Sequence, residues 1–392
     1  MNKLTLVPDW AKGLVWYQIF PERFFPGQSD NIPTIDDLKG AYPHDLSSPW
    51  QMHPWTSEWY ALQEYEKQNG QDIWYNLQRR RYGGDLPGII KKIDYLAELG
   101  VGGIYLNPVF YAPSSHKYDG ASFHHVDPFF GPAPEKDKEI IAEENPGDPT
   151  TWQWTHADRA LLQLIEEVHI RDMRIILDGV FNHCGLNFWA FQDLVRNQRQ
   201  SEYRNWFTVS RYARPEENKP LKVKTWEGFN ELPEFRQTEN GLAEGPKKYI
   251  FDITRRWMDP NGNGDLQKGI DGWRLDVAYC ISHPFWKEWR KHVRSLNPDA
   301  YINGEIFGEP DEVAEYMQGD EFDSVMNYNF MFAIGEYFVD EKHQISTSGF
   351  DKQLEKMRNS QRSEVNHVLQ NLVSSHDTDR IASKLVNRDF LT

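Results

Sequence analysis

The sequence predicts an α/β protein built as a TIM-type (β/α)8 barrel, with a small domain inserted after the third strand. Three observations predict it. Short apolar runs alternate with helix-spaced segments along the 392 residues, as βα units do. Acidic and polar residues collect at the ends of those runs, where the βα loops of a parallel barrel converge. The stretch 184–245 is too long and too rich in Trp, Pro and charge for an ordinary connection. Such a barrel takes about 250 residues, which leaves room for an insertion.

Taken in order, residues 14–20 (LVWYQIF) read as the first strand. Residues 85–99 (DLPGIIKKIDYLAEL) place apolar side chains at helical spacing and stop at Gly100, a C-cap residue. Residues 103–110 form the second strand, 156–172 an amphipathic helix, and 174–181 (RIILDGVF) the third strand. Later strands are 272–277 (GWRLDV), 301–306 (YINGEI), 322–328 (FDSVMNY) and 368–374 (VLQNLVS), seven candidates altogether. Residues 27–82 and 111–155 are long excursions between elements. The domain division is therefore 1–183 for the first part of the barrel, 184–245 for the inserted domain, and 246–392 for the second part.

Composition narrows the function. A formal charge of −16 disfavours a polyanionic partner such as nucleic acid and permits a neutral ligand. Hydrophobic residues at 39% and charged residues at 26% are ordinary for a globular chain. Aromatics reach 14%, with 15 Trp and 18 Tyr, which suits sugar rings and large cores alike. The two cysteines, Cys184 and Cys280, cannot staple a protein of this size and read as buried thiols. No apolar run reaches the length of a membrane span, and the N-terminus lacks the basic-then-apolar pattern of a signal peptide. A cytoplasmic protein is expected.

The polar strand ends carry the chemistry. Asp178, Asn182 and His183 close the third strand. Arg274 and Asp276 lie two apart in the fourth, so both point to one face. Glu305 ends the fifth strand, and His376 and Asp377 follow the seventh. One such aspartate alone reads as a helix cap or an ion-pair partner; four sites on different strands do not. Cleavage of a glycosidic bond with retention needs two carboxyls about 5–5.5 Å apart, one ionised and one protonated. Arg274 beside Asp276 keeps that aspartate ionised. Glu305 then has to hold a proton near neutral pH, through burial and neighbouring negative charge.

The segments DGVFNH (178–183), GIDGWRLDVA (269–278), NGEIFG (303–308) and SSHDTDR (374–380) resemble the four signature regions of the α-amylase family. They are closest to its neopullulanase and cyclomaltodextrinase branch. YQIFPERF (17–24), GGDLPGIIKKIDYLAELGV (83–101), LNPVF (106–110) and HKYDG (116–120) are similar to that branch as well. The resemblance covers roughly residues 14–380 and implies a retaining hydrolase of α-1,4-glucosidic bonds in maltooligosaccharides, cyclodextrins or pullulan. It implies Asp276 as nucleophile, Glu305 as acid/base, and Asp377 as a partner of the distorted sugar's hydroxyls. His183 and His376 are implied to contact that sugar, Arg274 to orient Asp276, Tyr118 to stack on the ring, and Asp178 to support the site. Phe307 stands where an aromatic often meets the leaving sugar, and it reads equally as packing.

ELPEFRQ (231–237) and VAYC (277–280) diverge from the branch, which bears on bond and product preference. An eighth strand and the β-sandwich that usually follows are expected to be missing from this chain. Asp259, Asn261, Asn263 and Asp265 space oxygen ligands at alternate residues, like the first half of a calcium loop, but Ile270 stands where that loop carries an acid. The same run reads equally as a polar glycine-rich turn. The family often binds calcium through the residue matched here by Asn182, so Ca2+ is the cofactor considered, and no organic cofactor is expected. An α-1,6-acting or transglycosylating relative, a non-catalytic glucan-binding module and a metal-dependent hydrolase are the other readings.

Overall fold

The computed structural model describes residues 7–28, 31–340 and 343–384. The chain divides into two compact units, Val15–Asp271 and Met1–Leu14 with Gly272–Thr392. All seven predicted strands form, three in the first unit and four in the second.

In the Val15–Asp271 unit, β1 (Trp16–Ile19), β2 (Gly103–Leu106) and β3 (Arg174–Gly179) run parallel in that order, with Trp16 opposite Gly103 and Gly103 opposite Arg174. Every residue of β2 is buried, as expected of a strand covered on both faces. The predicted helix 85–99 is present but broken into α1 (Leu86–Lys91) and α2 (Ile93–Glu98), because Lys92 departs from helical geometry at φ −107°, ψ 4°. Asp85 caps α1 by accepting the Gly88 N–H at 2.7 Å. Gly100, at φ 85°, ends α2 in the left-handed conformation that a side chain disfavours. Further on come α3 (Pro134–Glu143) and α4 (His156–Ile170). Thr155 and Asp158 form a reciprocal capping box at the start of α4, each bond 3.0 Å. The helix buries Leu161, Leu164, Ile165 and Val168, the one-face spacing that makes it amphipathic.

Residues 184–245 hold α5 (Trp189–Asn197) and two short antiparallel pairs, Val209–Arg211 with Lys222–Val223 and Gln237–Thr238 with Gly241–Leu242. The divergent segment 231–237 runs beside the end of the third-strand region: Cys184 N–H donates to Pro233 O and Phe235 N–H to Asn182 O, both at 3.0 Å. Phe123, Phe188, Trp189, Trp206, Phe235 and Tyr249 pack edge to face here. Phe123, Phe188, Phe235 and Tyr249 of this group are buried, so these aromatics serve as core. Next comes α6 (Glu244–Met258).

In the other unit β4 (Gly272–Leu275), α7 (His283–Leu296), β5 (Tyr301–Gly304), β6 (Ser324–Asn327), α8 (Tyr328–Phe338), α9 (Thr347–Ser360) and β7 (Gln370–Asn371) follow one another, the four strands pairing parallel in sequence order. Helix α7 buries Phe285, Trp286, Trp289 and Val293. Its Arg290 and the neighbouring Arg294 both meet Asp323 Oδ1 at 2.7 Å, and Asp323 Oδ2 accepts the Ile302 N–H at 3.0 Å. A buried carboxylate so paired ties the helix to the strands. Strand β7 is shorter than the predicted 368–374 because a 3-10 turn at Val365–His367 leaves Val368 at ψ 0°, outside the extended region.

Strand β5 runs close against Gly272 of β4: a Cβ there meets the Tyr301 carbonyl oxygen at 1.9 Å. Gly272→Ala therefore has to push the two strands apart, an overpacking cost of about 1–3 kcal/mol. The unfolding midpoint in a thermal melt is expected to fall by several degrees (~2–4 °C per kcal/mol). A wild-type midpoint contradicts this register.

Candidate active site

In the Gly272–Thr392 unit the register does the positioning. Gly272 faces Tyr301, Arg274 faces Asn303 and Leu275 faces Gly304. The same offset carries Asp276, one residue past β4, to Glu305, one residue past β5. Neighbouring strands lie about 4.7–4.9 Å apart, so the two carboxyls are brought close by the sheet itself. Arg274 is fully buried, and Asp276 and Glu305 are nearly so.

One guanidinium serves both acids. Arg274 Nη1 donates to Asp276 Oδ1 at 2.9 Å, and Nη2 pairs with Glu305 Oε2 at 2.8 Å. The expected Arg274–Asp276 pair is present, and the arginine also reaches across to Glu305, which residue spacing alone does not reveal. Val277, between them in sequence, sits at φ 38°, ψ 46°. A β-branched residue in the left-handed region is a strained one, a cost of order 1–3 kcal/mol that clusters at functional sites. The conformation turns its N–H onto Glu305 Oε2 at 3.0 Å. The other carboxyl oxygen, Oε1, accepts the Tyr328 O–H at 3.1 Å. Phe307, 45% exposed, stacks on Tyr328 with centroids 4.2 Å apart and planes at 19°.

His376 and Asp377 lie in a turn past β7. Ser375 N–H donates to Thr378 Oγ1 at 2.8 Å and Asp377 N–H to Ser375 Oγ at 3.2 Å. The His376 Nε2 and Asp377 Oδ2 atoms are 3.0 Å apart, with the aspartate side chain half-exposed.

In the Val15–Asp271 unit a second group gathers around Asp178. Its Oδ2 accepts the Tyr105 O–H at 2.6 Å and the Tyr118 O–H at 2.9 Å. Asn107 Nδ2 donates to the Tyr118 oxygen at 3.0 Å and is itself held by Gln18 at 2.8 Å. The His116 ring stacks on Tyr118 at 5.9 Å. His183 stacks on Trp226 at 5.4 Å, and burial drives its pKa down to about 3.

Sequence reasoning missed Tyr328, Val277, Tyr105, Asn107 and Trp226. Tyr328 and Asn107 do follow strand ends, where polar residues were sought, so position was a usable signal for them. Val277 shows none, because a positive φ at valine has no sequence signature.

The residues considered for calcium do not assemble its shell of about six to eight oxygens. Asn182 offers one buried Oδ1 without a hydrogen-bond partner among the described residues. The run 259–265 is largely exposed, and its Asp259, Asn263 and Asp265 Oδ1 atoms accept backbone N–H groups of the same turn. A buried cluster outside the strand-end residues joins His124, His125 and Glu144. Both Nε2 atoms contact Glu144 Oε1, at 2.8 and 2.6 Å, while His124 Nδ1 meets the Tyr249 hydroxyl at 2.7 Å and His125 Nδ1 meets Asp158 at 2.8 Å. Every ring nitrogen has a protein partner at hydrogen-bond length, so this is a hydrogen-bonded network. Burial opposes a charge on His125, but Asp158 and Glu144 outweigh it and raise its pKa. Burial wins at His124, whose pKa falls to about 3.

His124 and His183 thus stay neutral in the folded chain down to about pH 3, whereas an unfolded histidine takes its proton near 6.5. Between these values the unfolded state binds more protons, so stability falls as pH falls. Each histidine contributes a slope of up to ~1.4 kcal/mol per pH unit. The melting midpoint is expected to drop steadily from pH 6.5 to pH 4, and a flat profile over that range contradicts the buried neutral state.

The model of the α-amylase catalytic domain matches residues 18–145 and 156–390. The cyclomaltodextrinase of Geobacillus thermopakistaniensis is 36% identical over 378 residues, covering 96% of this chain and 52% of its own length. Neopullulanase 2 of Thermoactinomyces vulgaris is 35% identical over 97% of this chain and 52% of its own. Among solved structures, the ligand-free cyclic α-maltosyl-(1→6)-maltose hydrolase of Arthrobacter globiformis superposes with a TM-score of 0.73 at 29% identity, over 96% of this chain and 68% of that one. The chain spans about half the length of these curated relatives. No helix among the described residues is long and apolar enough to cross a membrane. With the family's catalytic-domain model matched over most of this chain, the chain belongs to the α-amylase family and has its TIM-barrel fold, in the company of cyclomaltodextrinases and neopullulanases.

Proposed function

We propose that the chain hydrolyses α-1,4-glucosidic bonds of maltooligosaccharides, cyclodextrins or pullulan by double displacement. The observation that carries this is the single Arg274 fork, which reaches Asp276 at 2.9 Å and Glu305 at 2.8 Å. Two carboxyls within the span of one guanidinium suit the close spacing of the retaining class, which leaves no room for a water between the nucleophile and the sugar.

In the first step Glu305 gives its proton to the glycosidic oxygen as the C1–O bond breaks. An Asp276 oxygen bonds to C1 and forms a glycosyl ester with inverted configuration. In the second step water attacks C1, Glu305 takes the water's proton, and Asp276 leaves, which restores the α configuration. Arg274 keeps Asp276 an anion and so a competent nucleophile. Asp377 and His376 are assigned to the hydroxyls of the sugar in transit, and Tyr118 and His183 keep the sugar-contacting roles that the family resemblance gives them. A sugar hydroxyl in place of water turns the same intermediate to transglycosylation.

The test uses maltoheptaose and β-cyclodextrin with the parent chain, Asp276→Asn and Glu305→Gln. Each substitution is expected to lower turnover by roughly 10³-fold or more, the scale on which a nucleophile or general acid acts. Glu305→Gln given an activated α-glucosyl fluoride should accumulate a sugar adduct on the peptide carrying Asp276, visible by mass spectrometry. Turnover surviving either substitution refutes the mechanism. A parent chain that binds maltoheptaose without cutting it moves the reading to a glucan-binding module.

A further inference from the structure

We infer that Tyr328 is a positioning residue that fixes the proton-carrying oxygen of Glu305, an inference that rests on the acid/base reading above. Glu305 has two oxygens in unlike settings. Oε2 accepts the Val277 N–H at 3.0 Å and lies 2.8 Å from the Arg274 Nη2 of the buried guanidinium cation. An oxygen that already accepts an N–H and sits against a cation is a poor place for a carboxylic proton, so the proton falls on Oε1. The hydrogen-bond partner of Oε1 is the Tyr328 hydroxyl, at 3.1 Å.

That hydroxyl is itself held in place. Tyr328 is buried, and its ring is stacked on Phe307 at 4.2 Å. Burial and the nearby Glu305 charge raise the Tyr328 pKa, so the phenol stays a donor at working pH.

The consequence follows from charge. As the proton leaves Oε1 for the glycosidic oxygen and the C1–O electron pair follows onto the leaving group, Oε1 becomes an anion. The Tyr328 O–H bond to it is then charge-assisted and stronger than in the ground state. An interaction that strengthens toward the transition state accelerates the step. In the second step the same bond holds Oε1 aimed while it takes the proton of water.

The experiment compares kcat/KM, which reports the steps through formation of the glycosyl ester, on two substrates. Maltoheptaose needs its leaving group protonated, whereas the fluoride of α-maltosyl fluoride departs without a proton. Tyr328→Phe keeps the ring and removes the hydroxyl. It is expected to lower kcat/KM on maltoheptaose about tenfold, a fraction of what general acid catalysis supplies, and to leave α-maltosyl fluoride within about twofold. Equal losses on both substrates mean a merely structural role and overturn the inference, as does no loss on maltoheptaose. Glu305→Gln run alongside should show the same split on a larger scale. If it shows the split and Tyr328→Phe does not, Tyr328 alone is refuted. If it shows no split, the acid assignment itself fails and Tyr328 with it.

Discussion

A fully buried arginine is the constraint on which the rest depends. Taking a guanidinium out of water costs several kcal/mol unless partners return the lost interactions. Arg274 recovers them from two carboxyl groups, donating Nη1 to Asp276 and setting Nη2 2.8 Å from Glu305. The arrangement demands that strands β4 and β5 hold one register, that Gly272 let them close up, and that Val277 accept a left-handed backbone. Stability and chemistry are thereby coupled, because the groups that compensate the buried cation are the ones proposed to act on the sugar.

The second polar group works on the same principle with neutral donors. Asp178 is buried and receives two phenol hydroxyls, from Tyr105 and Tyr118. A carboxylate so satisfied is a support, and it fixes the Tyr118 ring whose face is proposed to meet the substrate. The His124–Glu144–His125–Asp158 network is a third instance, and it braces the start of helix α4 through the Asp158 capping box. In each of these places a buried charged group is held by partners of its own.

Much of this was legible in the sequence. The seven strands could be read because each is a short apolar run, and Arg274 beside Asp276 because alternate strand residues share a face. Contacts distant in sequence could not be read. Arg274 reaching Glu305, 31 residues on, needs the strand register, and Tyr328 meeting Glu305 needs strand and helix placed together. The break at Lys92 was hidden within continuous helical periodicity. The alternate oxygens of residues 259–265 fit a ligand run and a turn equally in sequence, because the same spacing serves a turn whose side-chain oxygens accept from its own backbone.

The central claim is that Asp276 and Glu305 act as a close pair in two displacements. It is tested most directly by the anomer first released. Proton NMR during early hydrolysis of maltoheptaose, before mutarotation, resolves the α and β anomeric signals. The account predicts that the α anomer appears first and the β anomer grows only as mutarotation proceeds. Initial release of the β anomer means a single displacement by water, and it would contradict the account.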